Sequence, residues 1–312
     1  MGHDRRFRFA VQLSTAPSGS AWADEARRVE ALGYSTLYLP DHFGDQFSPI
    51  PAMAAAAAVT TELRIGALVL GNDYRHPVVL AKELATVDVL SEGRLEIGLG
   101  AGWMTTDYEQ AGIPLDSPGT RIDRLRESIA VIKGLFAEEP LDFAGEHYQV
   151  QGLQGSPTPV QRPTPPWVIG GGGRKMLALA AEQGDIVGVN PSLHSGAADA
   201  TAAADATAEA TDRKLGWLKE AAGDRFDDIE LNCLCLVAAV TDDRDGFAQL
   251  MAGGFGVDPA DALDIPHALF GTVDQICDTL QERRDRWGFS YVVVQGDTYE
   301  ALAPVVERLA GT

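Results

Sequence analysis

The chain has 312 residues, enough for two average domains or for one large α/β barrel. It carries 25 Lys and Arg residues against 45 Asp and Glu residues, which gives a formal net charge of −20. This charge excludes broad binding to nucleic acid or to an anionic membrane surface, although a pocket for a single phosphate stays compatible with it. With 45% hydrophobic residues, the chain has enough apolar material for a folded core.

The N-terminus and the cysteines predict a cytoplasmic protein. No apolar segment follows Met1, so no signal peptide is expected, and no run reaches the ~20 apolar residues of a membrane span. Cys233 and Cys235 alternate along a predicted strand, and Cys277 stands alone. This pattern is typical of buried thiols, because it supplies neither a disulfide framework nor the ligands of a zinc site.

The first half of the chain repeats a strand followed by a helix. Apolar, β-branched runs begin at Phe7, Tyr34, Arg64 and Arg94, at intervals of about 30 residues. Helical periodicity follows, with apolar stripes through Trp22, Ala26 and Val29, through Leu80, Leu84 and Val87, and through Ile122, Leu125, Ile129, Ile132 and Phe136. On the last helix, Arg121, Asp123, Arg124 and Glu127 are predicted to face mostly outward. This repeat is the βα unit of a parallel sheet.

The second half continues the pattern less evenly. Strands are predicted over residues 166–170, 185–190, 229–240 and 291–295, and helices over residues 174–183, 197–222, 272–287 and 298–310. The Ala-rich stretch at 197–222 is predicted to be a solvated outer helix. The spacing breaks between residues 137 and 165, where residues 146–150 predict a small hairpin and several prolines indicate a loop.

Eight βα units in a chain of this length predict an α/β fold of the TIM (β/α)8 barrel type rather than a doubly wound sheet. We expect one domain over residues 1–312, with an insertion at about 137–165. The active site of a barrel lies at the carboxyl ends of its strands, so the residues after each run are the candidates for function. They are Gln12, Asp41, His42, Asn72, Asp107, Glu109, Asn190 and the glycine-rich segments at 98–103 and 170–175.

Four consecutive glycines, residues 170–173, follow one predicted strand and open a predicted helix. Backbone N–H groups and the helix dipole can converge on an anion there, and Arg174 and Lys175 add positive charge. The alternative is a flexible turn. The glycines at 98–102 have neither Walker nor Rossmann spacing, so we expect them to thin a strand end over which a flat ring can lie.

His42 is the histidine with functional context. A strand-end histidine is more often a structural hydrogen-bonding residue, but the place of His42 at the barrel mouth with the phosphate loop favours a functional role. His76 precedes Pro77 and is predicted to cap or brace a helix start. The remaining histidines have no supporting context, and no cluster of His, Cys, Asp or Glu indicates a metal site.

Four segments together resemble the luciferase-like monooxygenase superfamily: DHF after the second strand, RHP before the third helix, SEGRLEIGLGAGW through the fourth strand and PPWVIGGGGRKML at the fifth. The resemblance runs from about Phe7 to Asn190 and continues more loosely to the C-terminus. It implies a TIM barrel with insertions that binds FMN or the deazaflavin coenzyme F-420. The chain is most similar to the F-420-dependent oxidoreductases, and the family expectation is a homodimer.

The resemblance also implies roles for single residues. It places the cofactor ring at a non-prolyl cis peptide between Leu68 and Val69, beside Asp41 and His42. The further cofactor contacts that we predict are Ala101, Gly102 and Trp103 under the ring, Gly171, Gly172, Gly173, Arg174 and Arg121 at the phosphate, and the strand-end residues Asn72 and Asn190. Sugar-phosphate dehydrogenases of the family carry a glutamate acid where this chain has Trp103. That activity is therefore not expected, and Asp107 or Glu109 would replace the acid. We take His42 and Glu109 as the predicted catalytic residues.

The predicted function is hydride transfer between carbon 5 of coenzyme F-420 and a small, largely apolar substrate at the barrel mouth. Two alternatives stay open: an FMN-dependent two-component monooxygenase supplied by a reductase partner, and a non-catalytic flavin-binding protein. The anionic tail of F-420 needs a basic path across an acidic surface, so the absence of such a path would favour FMN.

Overall fold

A computed structural model describes residues 5–197 and 199–312. The N-terminal residues 1–4, to which part of the signal-peptide prediction applies, lie outside the described residues. In chain order the elements are β1 (Arg8–Gln12), α1 (Gly19–Ala31), β2 (Thr36–Leu39), α2 (Pro49–Ala57), β3 (Arg64–Ala67), β4 (Leu70–Gly71), α3 (Pro77–Leu90), β5 (Leu95–Gly100), α4 (Thr105–Ala111), α5 (Pro118–Phe136), β6 (Leu141–Ala144), β7 (Gln149–Leu153), β8 (Trp167–Gly171), α6 (Arg174–Gln183), β9 (Ile186–Val189), α7 (Ala200–Ala204), α8 (Ala208–Ala222), β10 (Glu230–Leu234), β11 (Val237–Val240), α9 (Arg244–Phe255), α10 (Pro259–Leu263), β12 (Ala268–Gly271), α11 (Val273–Trp287), β13 (Phe289–Gln295) and α12 (Tyr299–Leu309).

Eight parallel strands close into a barrel. Their order is β3-β2-β1-β13-β10-β9-β8-β5, and β3 pairs with β5 to complete the ring. Ala10 of β1 lies opposite Val293 of β13 on one side and Thr36 of β2 on the other, while Ile65 opposite Leu95 closes the barrel. The predicted TIM (β/α)8 fold is confirmed.

Side chains that point alternately to the two faces of the strands form two separate hydrophobic cores. Phe9 and Val11 of β1 pack in the large cluster that contains helix residues such as Trp22 and Val29. Ala10 between them belongs to a smaller cluster formed by strand residues such as Tyr38. Because successive side chains of a strand point to opposite faces, the first cluster fills the space between strands and helices and the second lies inside the barrel.

Local signals in the sequence explain where helices begin. The helices predicted over 174–183, 272–287 and 298–310 are α6, α11 and α12, within one residue at each end. Thr272 and Gln275 form a capping box at the start of α11. His76 caps α3, as predicted: its ring accepts a hydrogen bond from the backbone N–H of Val78 at 3.3 Å.

The strand predicted over 229–240 is wrong as one element. β10 ends at Leu234, and β11 pairs with β12 in a separate two-stranded sheet. The chain leaves the barrel between Cys235, whose N–H still donates to the carbonyl of Val293, and Leu236, whose N–H donates to the carbonyl of His267. Both halves are apolar, so the sequence pattern does not reveal the change of partner. A segment of β11, α9, α10 and β12 therefore extends the barrel between β10 and α11.

Two further segments differ from a plain strand and helix repeat. Between α5 and β8, the strands β6 and β7 form an antiparallel pair with each other. The Ala-rich stretch is two helices, α7 and α8, because the chain breaks at Asp205, which binds the buried Nζ of Lys214 at 2.7 Å. The prediction of a single solvated helix is therefore wrong.

The three cysteines are buried and free, as predicted. No helix in the described part of the chain combines the length and the apolar character that crossing a membrane requires.

Candidate active site

A cavity of about 1050 Å³ lies at the carboxyl ends of the barrel strands. All eight barrel strands contribute to its lining through residues at or near these ends, from Gln12 after β1 to Gln295 after β13. Thirteen of the predicted site residues line it: Asp41, His42, Leu68, Val69, Ala101, Gly102, Trp103, Arg121, Gly171, Gly172, Gly173, Arg174 and Asn190. The topology of the barrel brings them together from six separate segments of the chain.

Two predicted site residues do not line the cavity. Glu109 is exposed on α4, so the geometry does not support its predicted catalytic role. Asn72 is fully buried behind the wall, and its side-chain amide lies 3.5 Å from the hydroxyl of Tyr148. Its position after the third strand predicts a place in the site, but the chain turns into a short helical segment there and Asn72 does not line the cavity.

His42 is bound by Asp107, which is one of the two residues, with Glu109, that the sequence predicts as the possible acid. Nδ1 of His42 lies 2.6 Å from Oδ2 of Asp107, and the carboxylate is buried. The hydroxyl of Tyr74 donates to the same carboxylate at 3.1 Å, and the backbone N–H of Phe43 donates to its other oxygen at 3.3 Å. The ring of Trp103 packs edge-on against His42, with centroids 5.5 Å apart. These contacts orient the imidazole and leave Nε2 as the nitrogen available to a ligand.

The cis peptide that the resemblance implies is present between Leu68 and Val69. The side-chain amide of Gln12 donates to the carbonyl of Leu68 at 2.8 Å, and Gln295 donates to Gln12 at 3.2 Å. A Cβ at Gly98 would lie 1.7 Å from the carbonyl oxygen of Ala67. This glycine therefore makes room for the neighbouring chain, while Gly100 and Gly102 line the cavity. The expectation that the glycines at 98–102 thin a strand end beneath a flat ring stays a prediction.

Asp41 lines the cavity, but its carboxylate is engaged within the protein. Both oxygens accept hydrogen bonds from Arg75, at 2.5 and 3.0 Å, and one also accepts the backbone N–H of Gly71 at 2.8 Å. The bidentate pair joins the end of β2 to the turn after β4. Asp41 thus positions the chain beside His42 and has little capacity left for a ligand.

One end of the cavity concentrates positive charge. Pro118 and Gly119 at the start of α5, and Gly173, Arg174 and Lys175 at the start of α6, all line it. Two helix N-termini therefore meet there, and each carries partial positive charge. Arg121 of α5 adds a guanidinium group that is buried, contrary to the predicted outward orientation. We call this part of the lining the cationic end.

The cations of this end have different partners. Nη1 of Arg121 donates to the carbonyl of Asp116 at 3.0 Å, while Nε is buried without a partner among the described residues. Lys175 and Arg174 are exposed at the rim, where Asp123 and Glu220 pair with them at 2.8 and 2.7 Å. Three cations therefore line this end of the cavity, and the two at its rim are already paired with carboxylates. The basic path expected for the tail of F-420 stays a prediction.

Sequence reasoning missed a neutral polar part of the lining, formed by Asn232 and His267. Asn232 is a polar residue in an otherwise apolar strand run, and that was the available signal. His267 gave no signal, because it lies in the segment after β11 that the sequence did not identify. Among the described residues, no group of three or more His, Cys, Asp or Glu side chains is arranged so that it could hold a metal ion.

The closed barrel with a cavity at the carboxyl ends of its strands is the architecture of a TIM-barrel enzyme. The chain belongs to the luciferase-like monooxygenase family, whose sequence profile matches residues 5–244. Members of this family are oxidoreductases or monooxygenases that act on small molecules, and the protein is an enzyme of this class.

The relatives include uncharacterised proteins and an enzyme named for F-420. An uncharacterised protein of Mycobacterium tuberculosis is 30% identical over 200 residues, 57% of this chain and 70% of that protein. The F-420-dependent glucose-6-phosphate dehydrogenase of Amycolatopsis mediterranei is 31% identical over 155 residues, 47% of this chain and 46% of that protein.

Solved structures support the fold. The coenzyme F-420-dependent tetrahydromethanopterin reductase from Methanopyrus kandleri has a TM-score of 0.78 at 18% identity, covering 98% of this chain and 99% of that chain. An EDTA monooxygenase from Chelativorans has a TM-score of 0.77 at 15% identity, covering 98% and 93%. At these identities the likeness establishes the shared barrel and leaves the cofactor of this protein open.

Proposed function

We propose that the protein transfers a hydride between coenzyme F-420 and a small organic substrate in the cavity. The observation that carries this proposal is the series of cations at the cationic end, from buried Arg121 to Lys175 and Arg174 at the exposed rim. A chain with a net charge of −20 that places three cations along one path is suited to an anionic tail longer than a single phosphate.

The residues at the cationic end fit such a group. The unpartnered Nε of Arg121 is a buried donor, and a phosphate oxygen would satisfy it. The first N–H groups of α6 have no partner within the helix and no side-chain cap, which makes this helix start an anion site. At the start of α5, Pro118 has no N–H and Thr120 donates its own to Oγ of Ser117 at 3.2 Å, so Gly119 supplies the remaining donor of that turn. A Cβ at Gly173 would meet no atom within 4 Å, so the backbone there is open to a ligand.

The ring of the cofactor would be held by the residues between the barrel strands and the cationic end, namely Leu68, Val69, Ala101, Gly102 and Trp103. When bound, the deazaflavin supplies a hydride donor or acceptor at its carbon 5. The role of the protein is then to orient the substrate, to exclude water and to manage the proton that accompanies the hydride.

His42 is the group placed to move that proton. Reduction of a carbonyl by hydride leaves an oxygen that must take a proton, and oxidation of an alcohol releases one. Asp107 holds the Nδ1 side of the ring at 2.6 Å, so Nε2 gives or takes the proton. The buried carboxylate keeps the ring in one orientation.

An FMN-dependent monooxygenase is the second candidate, because the cationic end would also hold the single phosphate of FMN. The rim distinguishes the two. FMN would leave Lys175 and Arg174 in their ion pairs with Asp123 and Glu220, whereas a longer anionic tail would compete for them. This candidate requires a reductase partner. A non-catalytic flavin-binding protein would not require the ordered pair of His42 and Asp107, which argues against that alternative.

Titration of the purified protein with F-420 and with FMN, followed by cofactor fluorescence, tests the proposal. We expect F-420 to bind more tightly. The double variant R174Q/K175Q is expected to lower F-420 affinity roughly three- to tenfold and to leave FMN affinity unchanged. The control for net charge is R27Q, which removes an exposed arginine away from the cavity. Binding of FMN without binding of F-420 would contradict the proposal.

The homodimer and the cytoplasmic location stay predictions. Val79, Val89 and Leu90 on α3 are exposed apolar side chains, and a surface of this kind is where a second copy would bind. Light scattering on the purified protein measures the oligomeric state directly.

A further inference from the structure

A second part of the cavity wall comes from β10 and the segment that follows it. Asn232 and Leu234 are two residues apart on β10, so they face the same side of the sheet, and both line the cavity. Leu236, Val237 and His267 line it as well. The N–H groups of Leu236 and Val237 donate to the carbonyl of His267 at 2.8 and 3.3 Å, which ties these residues into one unit. We call these five residues the β10 patch.

His267 presents a hydrogen-bond acceptor in this patch. Its Nδ1 lies 2.9 Å from the carbonyl oxygen of Leu234, which can only accept, so Nδ1 carries the proton. Nε2 is then unprotonated and can accept a hydrogen bond, and it has no partner among the described residues. Burial lowers the pKa of His267 to about 4 despite the bond to Leu234, and the charges of Lys214 and Arg283 act in the same direction as burial. The imidazole is therefore neutral at pH 7.

Asn232 presents a hydrogen-bond donor. Its Nδ2 is buried and has no partner in the part of the chain that the structure describes. A buried donor of this kind is costly unless a ligand or a water satisfies it. Gly188 lies beside this side chain and lines the cavity too: a Cβ at that position would be in ordinary contact with Oδ1 of Asn232 at 3.6 Å and with Nδ2 of Asn190 at 3.5 Å.

The β10 patch offers no cation to an anionic ligand. Arg283 packs behind it, where its guanidinium donates to the carbonyls of Leu263, Ile265, Pro266 and Ala268 at 2.8 to 3.2 Å. Lys214 is buried and bound to Asp205 at 2.7 Å. Neither side chain lines the cavity. An anionic group in the patch would thus be desolvated without a countercharge, which is strongly unfavourable.

We propose that the β10 patch binds the substrate, and that the substrate is an uncharged, mostly apolar molecule with one hydroxyl group and one carbonyl group. The hydroxyl donates to Nε2 of His267, the carbonyl accepts from the amide of Asn232, and the hydrocarbon part packs on Leu234, Leu236 and Val237. This inference rests on the proposed function in one respect: the cofactor takes the cationic end and leaves the patch to the substrate. Glucose 6-phosphate, named for the Amycolatopsis relative, carries the wrong charge for this patch.

Three matched cyclohexanone probes test the inference by binding, without turnover. They are 4-hydroxycyclohexanone, cyclohexanone and 4-oxocyclohexanecarboxylate, titrated in phosphate buffer so that inorganic phosphate fills the cationic end. Saturation-transfer NMR on the whole chain gives the affinities. We expect the hydroxyketone to bind roughly three- to tenfold more tightly than cyclohexanone, the effect of one net hydrogen bond, and the carboxylate not to bind.

Two variants locate the contacts. The H267N variant keeps a side-chain N–H that can donate to the carbonyl of Leu234, as Nδ1 does, but it lacks the acceptor Nε2. It should therefore reduce the affinity of the hydroxyketone to that of cyclohexanone. N232L removes the amide at similar volume and should weaken both ketones. H76N, at a histidine outside the cavity, is the control, and unchanged melting temperatures show that the variants fold.

The outcomes separate this inference from the proposed function. Equal affinity for the two ketones, an H267N variant that keeps the preference, binding of the carboxylate at the level of the hydroxyketone, or no binding of any probe overturns the inference. If the predicted probe pattern appears while F-420 does not bind, the proposed function fails and the neutral ligand site stands. If F-420 binds and the pattern is absent, the inference alone fails.

Discussion

Asp107 accepts a hydrogen bond from Nδ1 of His42 at 2.6 Å, across 65 residues of chain. Asp107 lies on α4 beside the cavity, and His42 follows β2. Burial and the charge of Asp107 raise the pKa of the Tyr74 hydroxyl, which therefore stays protonated and donates to the same carboxylate. The arrangement fixes both the position and the tautomer of the imidazole, and a proton-transferring group needs both.

Replacement of Asp107 by Asn is expected to reverse the tautomer of His42. The amide of Asn can donate to Nδ1, which moves the ring proton to Nε2 and blocks the acceptor that faces the cavity. Nitrogen-15 NMR of labelled histidine reads this change without a substrate. Turnover should fall by about 10²- to 10⁴-fold, as for loss of general acid–base catalysis.

The control for Asp107→Asn is Glu109→Gln, on the same helix but exposed and outside the cavity. It should change neither the tautomer nor turnover. A D107N protein that keeps both wild-type properties would remove Asp107 from its positioning role.

Gly172 and Gly173 provide a matched pair at the cationic end. A Cβ at Gly172 would lie 2.4 Å from the backbone nitrogen of Ser192, whereas one at Gly173 would meet nothing within 4 Å. Gly172→Ala is therefore expected to lower the free energy of unfolding by roughly 1–3 kcal/mol, the usual cost of overpacking. Gly173→Ala should keep stability near that of the wild type and weaken cofactor binding, because its methyl group enters the ligand space.

Urea denaturation and cofactor titration of both variants check this pair. The stability of G172A and the affinity of G173A are the two values that should move. A G173A protein with undiminished affinity would show that no ligand approaches the backbone of the glycine loop.

The sequence predicted the barrel well because each βα unit carries its own signals. Apolar runs, helix stripes and caps such as Thr272 are local, and they place β1, α6 and α11 close to their observed bounds. The path between β10 and α11 was not predictable in the same way. The strand run at 229–240 is apolar on both sides of the change of sheet, from Cys233 to Val240, and the bonds of Leu236 and Val237 to His267 reveal that change.

The site was predictable where strand ends carry special residues and unpredictable where partners come from distant segments. His42, Arg174 and the glycine loop follow from their positions after strands. The choice between Asp107 and Glu109 depends on which face of α4 points inward, and α4 has only seven residues, too few for a clear stripe. The ion pair between Asp41 and Arg75 joins residues 34 positions apart, so a local sequence pattern does not predict it either.

Glu96 is expected to stabilise the barrel without contributing to ligand binding. Its buried carboxylate accepts hydrogen bonds from Arg8 at 2.7 Å, Arg64 at 2.8 Å and Tyr291 at 3.0 Å, and none of these residues lines the cavity. Glu96→Gln leaves Arg64 without its carboxylate partner, while Arg8 keeps its pair with Glu230. We expect a loss of about 3–5 kcal/mol in the free energy of unfolding and unchanged cofactor affinity.

The pH dependence of this contribution has a defined sign. Burial alone would raise the pKa of Glu96, but the charges of Arg8 and Arg64 outweigh burial and lower it. The stabilisation is therefore complete above the ordinary pKa of 4.5 and is lost as the pH falls through the lower folded-state value. Glu300→Gln, in an exposed pair with Arg28, is the control and should cost less than about 1 kcal/mol. A similar loss in both variants would contradict the role of Glu96.

His267 should make the protein less stable in mild acid. Burial, together with Lys214 and Arg283 and against the bond to Leu234, lowers its pKa from 6.5 to about 4. Between these values the unfolded chain binds a proton that the folded chain does not, so stability falls as the pH falls. The loss from pH 7 to pH 5 is about 2 kcal/mol for this residue. Urea denaturation of the wild type and of H267N at pH 7 and pH 5 measures this loss. The variant lacks the contribution of His267 to the free energy of unfolding, while the other histidines are present in both proteins. Identical pH dependence in the two proteins would mean that His267 takes up its proton in the folded state, and the neutral acceptor assigned to the β10 patch would be lost with it.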